Sequence, residues 1–323
     1  MVAIVGAAWM ILQWGILPRL DTWRPHLAAW AGRSLGIRVE VGHLAVRGDL
    51  WAPVVVMRDL RITDPQAPSG AAPALRMAQA EAVVTPGSLM PLALLRGRPQ
   101  LARLTIEGLH LALRRDTRGR MFLAGLPLDD ALDDPDDRSA SPLADWVFSQ
   151  PEIRLRDAGI TWVDEQRDAG PLSLDEVSLD LAHEGGRHRL ALAATPPAGW
   201  GARFTAQAEM AAPAWSLARW QHPGDWRQWQ GEIRASWPHV DVRRLRRHMH
   251  LPFDLSEGRG RLDTRVSVSG GALTGAAVDL QLEAVTLRLA AHLPPLALRR
   301  MVGQLEMRHD PAGSTLRARG LAF

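Results

Sequence analysis

Hydrophobic and polar residues alternate along most of this chain from residue 37 onward, as in a β-strand with one buried face. The clearest segments are 37–41, 60–62, 109–113, 160–162, 177–181, 204–210, 266–268 and 285–289. Breaks rich in Pro and Gly separate them, such as 67–72, 196–199 and 270–271. The pattern predicts a mainly β body. It argues against a doubly wound nucleotide-binding fold, because no glycine-rich phosphate loop and no regular alternation of strand with helix is present.

The alternation changes phase inside two predicted strands. Leu104 and Ile106 precede residues 107–108, after which the apolar positions become odd: Leu109, Leu111 and Leu113. A similar change separates Ile153 and Leu155 from Ile160 and Trp162 across residues 157–159. An extra residue in a strand forms a β-bulge, which bends and twists the sheet. We therefore expect a curved, bulged antiparallel sheet that forms an elongated groove.

Segments around Leu60, Leu109 and Ile160 recur at intervals of roughly fifty residues, and each is followed by an Asp: Asp64, Asp116 and Asp164. This spacing favours a repeated β unit. Short helices are predicted near 143–148 and 240–249, with a further one near 226–230.

Residues 2–17 carry no charge before Pro18 and Arg19 follow. Sixteen helical residues span about 24 Å, less than a hydrocarbon core of about 30 Å. A signal-peptide core, a buried helix and a membrane anchor that lacks its first residues are the three interpretations. We favour an anchor over 1–20, because neither a basic segment before it nor a small-residue cleavage site after it is present. Its anchoring residues are Trp9, Trp14 and Leu17, and a juxtamembrane helix follows over 21–36.

Dense acidic charge interrupts the body, with six Asp within residues 129–137. We interpret 127–142 as an acidic loop, because the segment lacks the ligand spacing and terminal Glu of an EF-hand calcium loop. It separates a first β-groove unit (37–126) from further β-groove units (143–323). The chain ends inside a strand pattern, Leu316 to Phe323, so we expect the sheet to continue beyond it.

Composition restricts the chemistry that the chain can perform. Cysteine is absent among the 323 residues, which excludes disulfides, thiol nucleophiles and Cys-ligated metals. All 38 basic residues are Arg, and the formal net charge is only +3. The high sequence pI reflects the lack of Lys and Tyr, so it does not indicate a nucleic-acid partner.

Motifs for catalysis, cofactors and metals are missing from the sequence. No Gly-x-Ser-x-Gly elbow and no acid-pair signature is present, so we predict no enzyme, no catalytic residue and no cofactor. His248 and His250 lack a third ligand at a recognisable interval, so we predict no metal site. The neighbouring arginines, Arg243, Arg244, Arg246 and Arg247, are interpreted as a polar helix face, with lipid phosphate binding as the alternative.

Six of the thirteen Trp fall within residues 200–237: Trp200, Trp215, Trp220, Trp226, Trp229 and Trp237. Trp side chains can line an apolar groove, stack on sugars or fill a core. We interpret this cluster as core, because the chain has no Tyr and only five Phe.

Several segments of the chain resemble the YhdP proteins, which belong to the AsmA-like group of bacterial envelope proteins. They are 18–25 (PRLDTWRP), 36–40 (GIRVE), 104–109 (LTIEGL) followed by 114–116 (RRD), and 150–162 (QPEIRLRDAGITW). The matches are densest before about residue 200 and fall on scaffold residues. Family members are much longer than this chain, which resembles their N-terminal portion.

The resemblance implies a single-pass anchor in the bacterial inner membrane, with the bulk of the chain in the periplasm. It also implies phospholipid as the partner, carried toward the outer membrane along an apolar β groove. The groove candidates are Leu104, Ile106, Leu109, Leu111, Leu113, Ile160, Trp162, Leu179 and Leu181. The alternatives are an envelope scaffold that binds other envelope proteins and, ranked last, a glycan-binding module that uses the Trp-rich segment.

Overall fold

The computed structural model of the chain describes residues 38–47, 53–63, 75–85, 101–123, 126–127, 142–167, 169–212, 228–248, 254–270, 272–288, 294–310 and 313–323. These residues form one large open, curved sheet with two short helices. The mainly β fold predicted from the alternation is confirmed. Within this part of the chain, no helix is long and apolar enough to cross a membrane. The predicted anchor (1–20), with Trp9, Trp14 and Leu17, and the juxtamembrane helix (21–36) lie outside the described residues.

The strands are β1 (Arg38–Arg47), β2 (Val54–Thr63), β3 (Leu75–Val84), β4 (Leu101–Arg115), β5 (Met121–Leu123), β6 (Leu126–Pro127), β7 (Glu152–Asp164), β8 (Leu172–Glu184), β9 (Arg187–Thr195), β10 (Phe204–Ala211), β11 (Gln230–Asp241), β12 (Asp254–Ser269), β13 (Ala272–Arg288), β14 (Leu296–Asp310) and β15 (Gly313–Ala322). Helix α1 (Pro142–Ser149) precedes β7, and helix α2 (Val242–Leu245) follows β11.

Thirteen strands form the sheet in sequence order, and the short hairpin β5–β6 extends from the end of β4. Consecutive neighbours are antiparallel, except that β4 and β7 run parallel. The expectation of a wholly antiparallel sheet is therefore wrong at this pair. The reason is the segment between them, which contains β5, β6 and α1 and brings the chain back to the end where β4 began. Parallel neighbours need such a crossover connection.

Phase changes occur in β4 and β7 where the sequence predicts them. Gly108 and Asp157 adopt left-handed backbone conformations, with φ of 61° and 50°. In β7 the register to β8 shifts on both sides of Ala158, which confirms the predicted bulge. Between β4 and β7 the register stays constant, because both strands change phase at the same level. Gly108 is also required sterically, because a Cβ there would lie 2.8 Å from the Cβ of Ala78.

The predicted helices have three different outcomes. The helix near 143–148 is confirmed as α1. The helix predicted over 240–249 is only the four residues of α2, because Val240 and Asp241 still belong to β11 and Asp241 caps the helix. The helix near 226–230 is wrong at its end, where Gln230 begins β11, and residues 226–227 lie outside the described part.

Buried apolar residues form three clusters along the sheet. One lies on β3, β4, β7 and β8, the second around the bulge of β7, and the third on β12, β13 and β14. Both helices pack on apolar clusters, α1 on the first and α2 on the third. Most of the acidic loop, 128–141, lies outside the described residues, and so do Trp215, Trp220, Trp226 and His250.

Candidate functional site: the apolar face of the sheet

Two continuous rows of small and apolar residues cross all thirteen strands. Each member of a row is the register partner of the next, so the row runs perpendicular to the strands. The Leu104 row is Val46, Val55, Ala82, Leu104, Ile153, Leu181, Leu190, Ala208, Ile233, Val266, Ala276, Met307 and Leu316. The Ile106 row is Leu44, Met57, Ala80, Ile106, Leu155, Leu179, Leu192, Ala206, Ala235, Thr264, Val278, Leu305 and Ala318.

The two rows define an apolar face with dimensions that follow from sheet geometry. Neighbouring strands lie about 4.8 Å apart, so twelve steps extend over roughly 58 Å. The rows are two residues apart along each strand, about 6.7 Å. Thr264 is the single hydroxyl-bearing member of either row, and no member is charged. The apolar face therefore offers a long path without a polar barrier.

Helix α1 covers the Leu104 row at its centre. Its residues Trp146, Val147 and Phe148 pack on the cluster that contains Leu104 and Leu181. The side chain of the fully buried Gln150 links the end of the helix to β4 by hydrogen bonds. Its Oε1 accepts a hydrogen bond from the Leu101 N–H (2.8 Å), and its Nε2 donates to the Trp146 carbonyl (2.9 Å). We call this side of the sheet, where β4 and β7 begin, the α1 end.

Aromatic rings fill the space beside α1 at the α1 end. His188 is sandwiched between His183 and Trp229, with ring centroids 4.3 and 3.9 Å away. Phe148 of α1 meets Trp229 edge to face at 4.9 Å. Trp229 is only 7% exposed, so the interpretation of this Trp as core is confirmed. These rings close the apolar face at the α1 end.

The sequence-predicted groove residues all lie on β4, β7 and β8, and the register brings them together. Leu104 and Leu181 are buried beneath α1. Ile106, Leu109, Ile160 and Leu179 are half-buried around Ala158 and Val177. Leu111 and Leu113 are half-buried register partners of Ile160 and Trp162. The nine candidates therefore form one continuous surface.

An ion pair ends this surface beyond Leu113 and Trp162, on the side of the sheet where β4 and β7 finish. Arg115 donates to the buried Asp164, and Arg167 lies 3.5 Å from the same carboxylate. Burial alone would raise the pKa of Asp164, but hydrogen bonds from Arg115 and from the Gln166 N–H outweigh it and lower the pKa. We call this side of the sheet the α2 end.

Asp116 occupies the matching position at the end of β4. It is buried and accepts hydrogen bonds from the backbone N–H groups of Arg118 and Arg120, both at 2.9 Å. Burial opposes ionisation here too, yet hydrogen bonds from Arg120 and these N–H groups lower the pKa of Asp116. Two of the three Asp residues predicted to follow the repeated segments, Asp116 and Asp164, thus fix the turns after β4 and β7. Asp64 lies outside the described residues.

Helix α2 covers the apolar face at the α2 end of β12 and β13. Val242 is fully buried against Leu280 and Leu282 and belongs to the cluster that includes Met301. The Asp241 carboxylate accepts a hydrogen bond from the Arg243 N–H (3.1 Å), which caps the helix. The turn before β10 packs on the same segment, where Trp200 meets His248 with ring centroids 5.0 Å apart.

His248 follows α2, close to the β7 turn. Desolvation lowers its pKa, and the charges of Asp164, Arg167 and Arg247 also act on it. Its buried Nδ1 has no hydrogen-bond partner in the described part of the chain. Within that part, no group of three or more His, Asp or Glu side chains is suited to hold a metal ion.

The opposite face of the sheet is ionic. Arg and carboxylate side chains pair across neighbouring strands, as in Arg156–Asp180 (2.5 Å) and Arg265–Glu232 (2.9 Å). Glu232 also pairs with Arg234, whose hydrogen bond is the main cause of the lowered pKa of Glu232. A depression of about 380 Å³ on β12–β15 includes Asp279, Gln304 and Arg319 in its lining. Such a surface suits water rather than hydrocarbon.

Sequence reasoning missed the continuation of the apolar face beyond β8. Leu190 and Leu192 on β9, Ile233 on β11, and Leu305 and Met307 on β14 belong to the two rows. Their alternation is short and diluted by Ala, but Leu190 and Leu192 carry the same signal as Leu179 and Leu181.

Comparison with known proteins yields one finding. The sequence model of a protein family described as YhdP protein matches residues 1–323. No curated protein and no solved structure matches the chain.

Proposed function

The chain belongs to the YhdP family, and we propose that it carries phospholipid between the inner and outer membranes of a bacterium along its apolar face. In this proposal residues 1–20 anchor the chain in the inner membrane, and the sheet stands in the periplasm. The protein acts by sheltering acyl chains from water and performs no covalent chemistry.

The observation that carries this proposal is the unbroken pair of apolar rows. Each methylene removed from water is stabilised by about 0.8 kcal/mol, so a chain of a dozen or more methylenes gains on the order of 10 kcal/mol. Because no charged residue interrupts the rows, an acyl chain meets apolar residues at every strand. Helix α1 covers the Leu104 row at β4, β7 and β8, so in this proposal the acyl chains pass along the Ile106 row there.

The ionic face supports the same proposal. Ion pairs such as Arg156–Asp180 keep one side of the sheet solvated, while the other side is free to take up hydrocarbon. A sheet with two such faces can cross an aqueous compartment and still hold lipid.

The test is photo-crosslinking from matched positions on the two faces. A photoreactive amino acid replaces Leu192 or Leu179 on the apolar face, and Ala191 or Asp180 on the ionic face, in the full chain expressed in bacterial cells. We expect phospholipid adducts, identified by mass spectrometry, from Leu192 and Leu179 only. Leu109, Leu111 and Trp162 provide further apolar positions.

Two outcomes would overturn the proposal. Crosslinks from the apolar positions to protein alone would favour the envelope scaffold, and equal lipid labelling from both faces would show that lipid is not held on the apolar face. A glycan-binding role for Trp229 is disfavoured, because its indole is buried between His188 and Phe148 and is not free to stack on a sugar.

A further inference from the structure

The segment after β11 presents a concentrated basic surface beside the apolar face. Four Arg and one His fall within six residues, 243–248, and Arg243, Arg244 and Arg247 are exposed. The backbone beneath them is fixed, because Val242 is buried in the core and Asp241 caps the helix. The backbone that carries these arginines is therefore fixed at the α2 end.

Local carboxylates do not neutralise this basic surface. The Asp241 carboxylate is engaged by Arg259 (3.2 Å) and by the Arg243 N–H. Among the residues that the structure describes, the side chains of Arg243, Arg244 and Arg247 make no ion pair. Several arginines of the ionic face, by contrast, form ion pairs across strands, as Arg156 and Arg265 do.

The β7 turn adds to the positive charge. Arg115 and Arg167 share the single buried carboxylate of Asp164. His248 lies close enough to Arg167 and Arg247 for both charges to act on it. Arg167 of the β7 turn and Arg247 of the α2 segment therefore both lie near His248.

The two ends of the apolar face therefore suit different parts of an amphiphile. Hydrocarbon and aromatic rings close the α1 end, whereas the α2 end carries unneutralised guanidinium groups. Arg is well suited to phosphate, because its planar fork donates two parallel hydrogen bonds to phosphate oxygens.

We propose that Arg243, Arg244 and Arg247, with Arg167 beside them, bind the phosphate of a phospholipid headgroup whose acyl chains lie on the apolar face. This inference rests on the proposed function. It gives the bound lipid an orientation, with its phosphate at the α2 end and its acyl chains toward the α1 end.

The test measures lipid binding to the full chain in detergent with two ligands of equal acyl composition, phosphatidic acid and diacylglycerol. The variant Arg243→Gln/Arg244→Gln/Arg247→Gln removes three charges at the α2 end. The control Arg187→Gln/Arg308→Gln/Arg317→Gln removes three charges from exposed Arg residues on the ionic face toward the α1 end. We expect the first variant to bind phosphatidic acid about tenfold to a hundredfold more weakly, with diacylglycerol binding unchanged and the control like the wild type.

Failure of the inference is distinguishable from failure of the proposed function. If the wild type binds neither ligand, the proposed function is wrong and the inference is wrong with it. If it binds both equally and the α2 variant changes neither, lipid binding stands and the phosphate site is wrong. Inorganic phosphate that binds as tightly as phosphatidic acid would overturn the assignment to a lipid headgroup. A circular dichroism spectrum like that of the wild type shows that the variant is folded.

Discussion

The α1 end and the α2 end of the apolar face are closed by helices of opposite character. At the α1 end, Trp146 and Phe148 cover the Leu104 row, and Trp229 and His188 stack beside them. At the α2 end, one buried side chain, Val242, holds a helix whose remaining surface is basic. The difference shows that packing stabilises the α1 end. The α2 end exposes basic side chains on a helix that a single buried side chain holds.

The largest expected effect comes from removing packing at the α1 end. Trp229→Ala leaves a cavity between Phe148 and His188, and we expect a loss of about 3–5 kcal/mol in the free energy of unfolding. Val242→Ala at the α2 end removes two methyl groups and is expected to cost about 2 kcal/mol. Urea unfolding measures both variants, with Leu296→Ala at a 43% exposed position as the control. A smaller loss for Trp229→Ala than for Val242→Ala would contradict the comparison.

The hydrogen bonds of Gln150 also stabilise the α1 end, and a substitution there tests their contribution. Gln150→Ala leaves the buried Leu101 N–H without its acceptor, so we expect a loss of about 1–3 kcal/mol. Faster hydrogen exchange at Leu101 and along α1 should accompany this loss. Gln207→Ala, at an exposed position on the ionic face, is the matched control and should be close to neutral. Unchanged exchange in α1 would mean that Gln150 does not hold the helix.

Acidification should loosen the α2 end before the α1 end. The pKa of His248 is lowered by desolvation, so the folded state binds its proton less tightly than the unfolded state does. The stability associated with neutral His248 is present above the unfolded pKa of about 6.5, and it falls as the pH drops below that value. The protection factors of the amides in 242–248, which correct for slower intrinsic exchange at lower pH, should therefore fall between pH 7.5 and pH 5. His248→Gln should abolish this fall.

The buried carboxylate of Asp164 affects the stability of the α2 end at a lower pH than His248 does. Its pKa is lowered in the folded state, so its contribution is present above the unfolded pKa of about 3.9 and is lost as the pH falls through the folded value. A second loss of stability at the α2 end, weakened in Asp164→Asn, is the expected observation. If the wild type loses stability only at neutral to mildly acidic pH, with no second loss at lower pH, the prediction is contradicted.

We expect the smallest change in stability from a substitution on the ionic face. Glu232→Gln removes a carboxylate that pairs with Arg234 and Arg265, both of which are largely exposed. We expect a change of less than about 1 kcal/mol in the free energy of unfolding, and less still in high salt. A loss as large as that of Trp229→Ala would mean that the ion pairs, and not the apolar face, hold the sheet together.

Local alternation is sufficient to predict much of the sheet. The phase changes at Gly108 and around Ala158 are visible in the sequence because a single extra residue moves every later apolar side chain to the other parity. Strands β3, β9, β11 and β14 are missed, since Ala, Arg and Gln dilute the alternation in segments such as LRMAQAEAVV of β3.

Local alternation cannot predict features that depend on contacts between residues far apart in the sequence. Alternation describes each strand separately, so it cannot show that β4 and β7 run parallel or that α1 covers Leu104. The groove candidates on β4, β7 and β8 lie side by side in the sheet, but the rows across β9–β15 emerge only from the register. The basic segment 243–247 is predicted as a polar helix face, and its position beside the apolar face comes from the burial of Val242.

The parallel pairing of β4 and β7 has a consequence for the order of folding. In the described part of the sheet, every other pair of neighbours among the thirteen strands is consecutive in sequence and can form by local zipping. The β4–β7 pair must wait until the segment from Asp116 to Pro151 has closed, at an entropic cost that grows with loop length. β1–β4 and β7–β15 can therefore form as two separate ladders that dock late. Until they dock, the facing edges of β4 and β7 stay open to other strands, which makes this junction the step most vulnerable to misassembly.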